Sequence, residues 1–160
     1  MSRRPRHARC QILLVDDNRH ARLFLTQILN AADIEVQQAA SGPEALALLK
    51  TATFDAVIAD MYMQPMDGIA LTREIRASKD ATVRNLPIIM ASAQASRTVV
   101  EGGRAAGVTG FIAKPFSAAA VLARVDSALA PKPVVYLDVP TASGADPAAF
   151  NIDDGAMAYI

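Results

Sequence analysis

Short apolar runs alternate along this chain with longer segments in which apolar residues recur at helical spacing. A short apolar run is typical of a buried strand, and apolar residues three and four positions apart are typical of a helix packed on one side. The alternation predicts an α/β doubly wound fold, a parallel sheet with helices on both faces. The predicted strands cover residues 12–15, 34–36, 56–59, 86–91 and 110–113, and a helix is predicted after each of the five.

The predicted helices differ in strength. Residues 41–44, Ser-Gly-Pro-Glu, begin the second helix with a serine cap, an early proline and a glutamate three residues after the serine, as in a capping box. The fourth helix is weak, because Gly102 and Gly103 each cost about 1 kcal/mol relative to alanine in a helix interior. Pro131 ends the fifth helix.

Polar residues that can carry chemistry stand where four of the strands end. In doubly wound sheets the carboxyl ends of the strands share one edge, and ligands bind there. Three carboxylates at that edge would repel each other by about 4 kcal/mol per pair, at roughly 4 Å and an effective dielectric of about 20. A divalent cation would relieve this repulsion, and an all-oxygen set at a watery edge favours Mg²⁺. The residues are Asp16 and Asp17 after the first strand, Asp60 after the third, Ser92 after the fourth and Lys114 after the fifth.

Each of these residues also has a purely structural interpretation. Asp17 or Asn18 can cap the following helix. Ser92 can bond to its own backbone, and Lys114 can be a surface lysine before a turn proline. Taken singly, these interpretations are at least as good as a functional one. The functional interpretation gains because the residues converge on one edge of the predicted sheet.

Together the residues suit a carboxylate that attacks a phosphoryl group. Asp60 would be the nucleophile, and Mg²⁺ would bridge it to the incoming phosphoryl oxygens. Lys114 would add a positive point charge, and Ser92 would donate a hydroxyl hydrogen bond. The pattern therefore favours phosphoryl transfer to an aspartate.

Four motifs, each after a predicted strand, resemble the response-regulator receiver family, CheY-like in size, over residues 11–129. Their order on matching elements makes a chance likeness very improbable. The resemblance implies a flavodoxin-like five-stranded sheet of order 2-1-3-4-5. The motifs are Asp16-Asp17, Asp60 with residues 63–68 (Met-Gln-Pro-Met-Asp-Gly), Ser92-Ala93, and residues 110–116 (Gly-Phe-Ile-Ala-Lys-Pro-Phe).

The resemblance also implies which residues hold the phosphoryl group and the metal. Asp60 corresponds to the phosphoacceptor of the family. Asp17 corresponds to the direct Mg²⁺ ligand with Asp16 assisting, and the backbone carbonyl of Tyr62 corresponds to a third protein ligand. All of these residues stand after the first or the third predicted strand.

The last two strands carry the switch, by the same resemblance. Lys114 and Ser92 correspond to the phosphate-contacting lysine and the switch hydroxyl. Phe111 corresponds to the aromatic switch position, whose buried ring accompanies an inward move of the hydroxyl in the active state. The family's Lys-Pro bond is typically cis, so Lys114–Pro115 is expected to be cis.

Two residues depart from the family pattern in the loop after Asp60. The family usually has proline four positions after the aspartate, whereas here Gln64 stands there and Pro65 follows. A slightly different path of the metal-binding loop is therefore expected. Tyr62 is bulkier than the usual residue two positions after the acceptor, and we expect it to slow the attack of water on the phospho-aspartate.

The implied function is two-component phosphorelay signalling. Asp60 would accept a phosphoryl group from a sensor histidine kinase or a His-phosphotransfer protein. Phosphorylation would then switch the surface of the fourth helix, fifth strand and fifth helix, which corresponds to the family's α4-β5-α5 face, to control a downstream partner protein. We expect neither DNA binding nor membrane binding, and no turnover enzyme beyond self-phosphorylation and autodephosphorylation.

Two other functions stay open at this point. A phosphate sink would accept phosphoryl groups without an output target. An aspartate-nucleophile phosphatase also uses an aspartate at a strand end with Mg²⁺, but its pattern requires a second aspartate where this chain has Tyr62. A nucleotide-binding module is less favoured, because neither G-x-x-x-x-G-K-[ST] nor G-x-G-x-x-G occurs.

Composition sets the domain limits. The 160 residues carry no net charge, but residues 1–10 read as a basic flexible arm and residues 131–160 as an acidic tail with several prolines. The receiver domain is expected over residues 11–130, as a single-domain regulator, and the tail is either a docking segment or disordered. A single cysteine and the lack of a secretory signal favour the cytoplasm.

Overall fold

A computed structural model describes residues 10–94 and 96–130 of the chain. The predicted tail, 131–160, lies outside the described residues, and so does the predicted basic arm except for Cys10. None of the helices in the described part of the chain is both long enough and apolar enough to cross a membrane.

Five parallel strands form one sheet in the order β2-β1-β3-β4-β5, which confirms the predicted flavodoxin-like order 2-1-3-4-5. Two strands differ from their predicted bounds by more than one residue at one end. The second begins one residue later than predicted and extends to Ala39, and the fourth begins only after Pro87, which has no N–H to donate to a sheet. The strands are β1 Gln11–Val15, β2 Glu35–Ala39, β3 Ala56–Asp60, β4 Ile88–Ser92 and β5 Gly110–Ala113.

Six helices accompany the sheet in the described residues, one more than predicted. The additional helix, α4, is a single turn that begins after Asp80, whose carboxylate accepts a hydrogen bond from the Thr82 N–H at 2.8 Å. Four residues are too few to show a helical period in the sequence. The helices are α1 Arg19–Ala31, α2 Gly42–Thr51, α3 Gly68–Arg76, α4 Ala81–Arg84, α5 Arg97–Ala106 and α6 Ala118–Leu129.

Side chains of the central strands alternate between two hydrophobic cores, one on each face of the sheet. On one face, Leu13 and Val57 pack with apolar residues of α2 and α3. On the other, Ile12 and Ile58 pack with residues of α1 and α6. Every residue of β3 is buried, including Asp60 at its end. The fold therefore presents the end of β3 as the middle of the sheet's carboxyl edge.

The serine half of the capping box predicted for the second helix is present, and the glutamate reaches back to the residue before the cap. Ser41 Oγ accepts a hydrogen bond from the Glu44 N–H at 3.3 Å, and Glu44 Oε2 accepts one from the Ala40 N–H at 2.8 Å. The Glu44 N–H is one of the backbone donors that the first turn of a helix leaves without partners, whereas the Ala40 N–H lies one residue before the N-cap. They fix the point at which the chain leaves β2 and enters α2.

The two glycines of the weak fourth predicted helix, now α5, have different surroundings. A Cβ on Gly102 would meet no atom within 4 Å. A Cβ on Gly103 would overlap the ring of Phe111, the residue matched to the aromatic switch position. Gly102 therefore only weakens the helix, whereas Gly103 provides the space in which the Phe111 ring lies.

Candidate functional site

Three carboxylates meet at the carboxyl edge of the sheet. Val15 of β1 pairs with Ala59 of β3, so the next residues, Asp16 and Asp60, leave their strands at the same level. One oxygen from each of Asp16, Asp17 and Asp60 lies within 4.8 Å of the others. Asp16 and Asp60 are buried and Asp17 is exposed. The cluster offers three oxygen ligands with one side open to solvent, which suits a hydrated Mg²⁺ ion.

Lys114 lies against this cluster. Its Nζ is 2.8 Å from Oδ1 of Asp60 and 3.6 Å from Oδ2 of Asp16. Burial acts to lower the pKa of Lys114, but the hydrogen bond to Asp60 and the charges of Asp60 and Asp16 outweigh it and raise the pKa. Lys114 is therefore charged at neutral pH and offsets part of the repulsion among the carboxylates.

Asp16 is held from several sides. Burial raises the pKa of its carboxyl, with smaller raising effects from Asp60 and Asp17, while the Asn18 N–H at 2.9 Å and the charge of Lys114 lower it. The net direction is upward. Ionising Asp16 therefore costs more free energy in the folded chain than in water, as is common where carboxylates are arranged for function.

The residue that caps α1 is Asn18, one of the two candidates for that structural role. Its side-chain oxygen accepts a hydrogen bond from the Ala21 N–H at 3.1 Å. Among the described residues, the carboxylate of Asp17 has neither a hydrogen bond nor an ion pair. Asp17 is therefore available for a cation.

Ser92 ends β4 with its hydroxyl engaged by the backbone of Gln94. The hydroxyl donates to the Gln94 carbonyl at 2.8 Å and accepts from the Gln94 N–H at 3.1 Å. This is the arrangement of the structural alternative, in which a strand-end hydroxyl bonds to its own backbone. To donate to a phosphoryl group, the Ser92 hydroxyl would have to break the bond that it donates to the Gln94 carbonyl.

Phe111 lies in β5, partly buried against the core on the α2 and α3 face. Its ring occupies the space left by the missing side chain of Gly103. After the end of β5, the peptide bond between Lys114 and Pro115 is cis, as the family resemblance predicted. The bond between Gln64 and Pro65 is also cis, in the loop where the sequence departs from the family pattern.

Tyr62 follows β3 by two residues and is 55% exposed. Its hydroxyl donates to Oε1 of Gln94 at 3.4 Å, so it links the loop after Asp60 with the loop after Ser92. At the other end of the same loop lies Gly68, where a Cβ would be 2.5 Å from the carbonyl oxygen of Asp60. That glycine therefore allows α3 to begin directly against the end of β3.

Sequence patterns gave no indication of two residues at this edge, Gln94 and Arg22. Gln94 contacts both Ser92 and Tyr62, but it belongs to no motif by which these contacts could have been predicted. Arg22 donates to the backbone carbonyl of Asp16 at 2.7 Å. A helical arginine near an aspartate pair suggests a surface ion pair, and only the folded structure shows that Arg22 contacts a backbone carbonyl instead.

Comparison with known proteins agrees with this geometry. The profile of the response regulator receiver domain matches residues 12–126. Chemotaxis protein CheY-3 of Vibrio cholerae is 38% identical over 117 residues, which are 72% of this chain and 88% of that protein. The chain thus matches nearly the full length of this relative.

Solved structures give the same result. Chemotaxis protein CheY4 of Vibrio cholerae superposes with a TM-score of 0.71 at 32% identity, covering 75% of this chain and 98% of that one. The receiver domain of a sensor histidine kinase from Pseudomonas aeruginosa, which holds a magnesium ion in its active-site cleft, gives a TM-score of 0.69 at 30% identity, covering 75% and 97%. The chain belongs to the response-regulator receiver family and is a CheY-like receiver domain of a two-component system.

Proposed function

We propose that this receiver takes a phosphoryl group on Asp60 from a sensor histidine kinase or a His-phosphotransfer protein. The observation that carries the proposal is the position of the Asp60 carboxylate, buried at the end of the central strand between two further carboxylates and 2.8 Å from Lys114 Nζ. The two purely structural roles of such a carboxylate, helix capping and surface solvation, do not account for a cluster of three of which two members are buried. Phosphoryl acceptance does.

The donor set fits Mg²⁺, because all three carboxylates offer oxygen within 4.8 Å and one side of the cluster is exposed. Asp17 and Asp60 would bind the ion directly, Asp16 would assist, and the backbone carbonyl of Tyr62 would complete the protein ligands. Bound there, Mg²⁺ supplies neutralising charge for the carboxylates and the phosphoryl oxygens.

Transfer itself requires little covalent chemistry from the protein. An oxygen of Asp60 forms a bond to phosphorus while the bond from phosphorus to the donor's nitrogen breaks, which leaves an acyl phosphate on Asp60. Lys114 exchanges its carboxylate contact for one with the phosphoryl oxygens. Hydrolysis by water then returns the free aspartate and inorganic phosphate, so the phosphorylated state has a limited lifetime. In this proposal the protein acts as a signalling module and not as a turnover enzyme.

The phosphoryl group would also favour a new position of the switch residues, Ser92 and Phe111. An added charge of about −1.5 to −2 beside Ser92 offers its hydroxyl a stronger acceptor than the Gln94 carbonyl. Phe111 and its neighbours on α5, β5 and α6, which correspond to the family's α4-β5-α5 face, would follow. A partner protein that prefers the new arrangement would bind that surface and, by linkage, favour phosphorylation.

Intact mass spectrometry after incubation with acetyl phosphate and Mg²⁺ tests the proposal. Wild-type protein is expected to gain one phosphoryl group, and the gain should disappear in Asp60→Asn and in the presence of EDTA. Asp55→Asn, which alters an exposed aspartate at the other end of β3, is the matched control and should be phosphorylated like wild type. An equal adduct on Asp60→Asn would overturn the assignment.

A further inference from the structure

Arg22 holds the peptide that joins Asp16 to Asp17. Its Nη1 donates to the Asp16 carbonyl at 2.7 Å, and its Nε donates to Oε1 of Gln38 at 3.3 Å. Gln38 is fixed in turn, because its Nε2 donates to Oγ1 of Thr26 at 3.0 Å. We propose that Arg22 is a positioning residue for the Mg²⁺ site, which acts by fixing the direction in which Asp17 leaves β1.

The contact controls Asp17 because a peptide unit is planar. The Asp16 N–H is already held by the Ala39 carbonyl at 3.2 Å, and Arg22 holds the carbonyl at the other side of the same residue. With both groups fixed, the Cα of Asp17 has a defined place. The side chain of Asp17 has no hydrogen bond or ion pair in the described part of the chain, so no other contact in that part orients its carboxylate.

Arg22 is half-buried, and its positive charge is electrostatically unfavourable for a cation site nearby. A positive charge beside the acidic cluster weakens the binding of a divalent cation. The guanidinium, however, can donate to two acceptors in fixed directions, which a lysine cannot do. It also bonds to a carbonyl, so in the described residues it occupies none of the carboxylate oxygens that a cation needs.

This conflict of signs gives a sharp test. Arg22→Met removes both the charge and the hydrogen bonds, whereas Arg22→Lys keeps the charge but removes the paired N–H donors of the guanidinium. The control, Arg19→Met, removes the charge of an exposed arginine one turn earlier on α1. If Arg22 matters only as a charge, both Met variants bind Mg²⁺ more tightly than wild type. If Arg22 is a positioning residue, Arg22→Met and Arg22→Lys bind Mg²⁺ about 10-fold more weakly, as is typical when a group that orients a ligand is lost.

The dissociation constant of Mg²⁺ is measured for the full chain by following backbone amide resonances in a MgCl₂ titration, which also shows whether each variant is folded. The inference rests on the proposed function, and Asp17→Asn separates the two. Weak binding in Asp17→Asn, Arg22→Met and Arg22→Lys, with Arg19→Met equal to wild type or tighter, is the expected result. Binding that is weakened by Asp17→Asn but unchanged or tightened in both Arg22 variants overturns the inference alone. A wild-type chain that binds no Mg²⁺ overturns both.

Discussion

The two edges of the sheet use aspartate in opposite ways. At the amino edge, the exposed Asp55 accepts a hydrogen bond from the Gln11 N–H at 2.8 Å, and its own N–H donates to the Gln11 carbonyl at 2.8 Å. At the carboxyl edge three carboxylates meet, and within the described residues one lysine contacts two of them. At the amino edge the Asp55 carboxylate is matched with a backbone donor, which stabilises the fold. The carboxyl edge has an excess of acid, which a fold does not need and a phosphoryl-accepting site does.

The largest effect that sharpens this comparison concerns the thiol at the amino edge. Burial, followed by the charge of and the hydrogen bond to Asp55, raises the pKa of Cys10 from 9.0 to about 11. Two pH units of this kind reduce the thiolate fraction about 100-fold at pH 8. We expect Cys10 to react with a disulfide reagent at least about 100-fold more slowly in native protein than in urea, as followed by absorbance.

The same shift predicts a pH dependence of stability. The folded chain holds the Cys10 proton more tightly than the unfolded chain, so unfolding releases a proton above pH 9. The stabilisation is complete below pH 9 and is lost as the pH rises toward about 11. Urea titrations of Cys10→Ala should lack that part of the decline, and an identical decline in the variant would contradict the assignment.

Loss of Lys114 should be the next largest effect. Lys114→Met leaves Asp16 and Asp60 without their positive neighbour, and we expect the metal-free protein to lose about 2 kcal/mol of unfolding free energy, less than for a fully buried pair. Mg²⁺ should restore part of this loss. Urea denaturation with EDTA and with MgCl₂ measures both quantities, and a loss that Mg²⁺ leaves unchanged would argue against a cation site.

Neutralising one acid at each edge should give effects of opposite sign. Asp16→Asn keeps the oxygen that accepts from the Asn18 N–H but removes a buried charge, so metal-free protein at pH 7 should gain about 1 kcal/mol. Asp55→Asn keeps its contact with Gln11 as a neutral acceptor and should lose about 0.5 kcal/mol or less. Equal losses in the two variants by urea denaturation would contradict the contrast between the edges.

The smallest effect is expected at Tyr62. Its side chain is about half-exposed in the loop after Asp60, and its hydroxyl contacts Gln94 in the loop after Ser92. Tyr62→Asn opens that region to water, so the phospho-aspartate should hydrolyse a few times faster. Timing the loss of the phosphoryl group by intact mass checks this, with Tyr62→Phe as the variant that keeps the ring. An unchanged lifetime in Tyr62→Asn would show that the ring does not limit water.

Local patterns were sufficient to predict the strands and the acidic cluster, whereas the strand order was implied by the resemblance to the receiver family. Strands buried on both faces, such as β3, are continuous apolar runs, and the aspartate that follows such a run must lie at the carboxyl edge. The predicted bounds of β2 and β4 were less accurate, because the ends of these strands depend on pairing with β1 and β3.

Contacts between distant side chains could not be predicted in this way. Gly102 and Gly103 look alike in the sequence, and only the packing of Phe111 separates them. In the same way, nothing local indicates that Arg22 reaches a carbonyl or that Ser92 bonds to Gln94 rather than facing a ligand. Such contacts depend on tertiary arrangement, on which a single residue type carries little information.

We expect the acidic part of the carboxyl edge to be assembled before phosphorylation, and Ser92 and Phe111 to respond only to the phosphoryl group. Amide resonances of the full chain, recorded first with Mg²⁺ alone and then after addition of acetyl phosphate, distinguish the two parts. Mg²⁺ should shift the resonances of Asp17 and Asp60, and the resonances of Ser92, Gln94 and Phe111 should shift only after phosphorylation. Resonances of Ser92 and Phe111 that stay in place when Asp60 is phosphorylated would contradict this expectation.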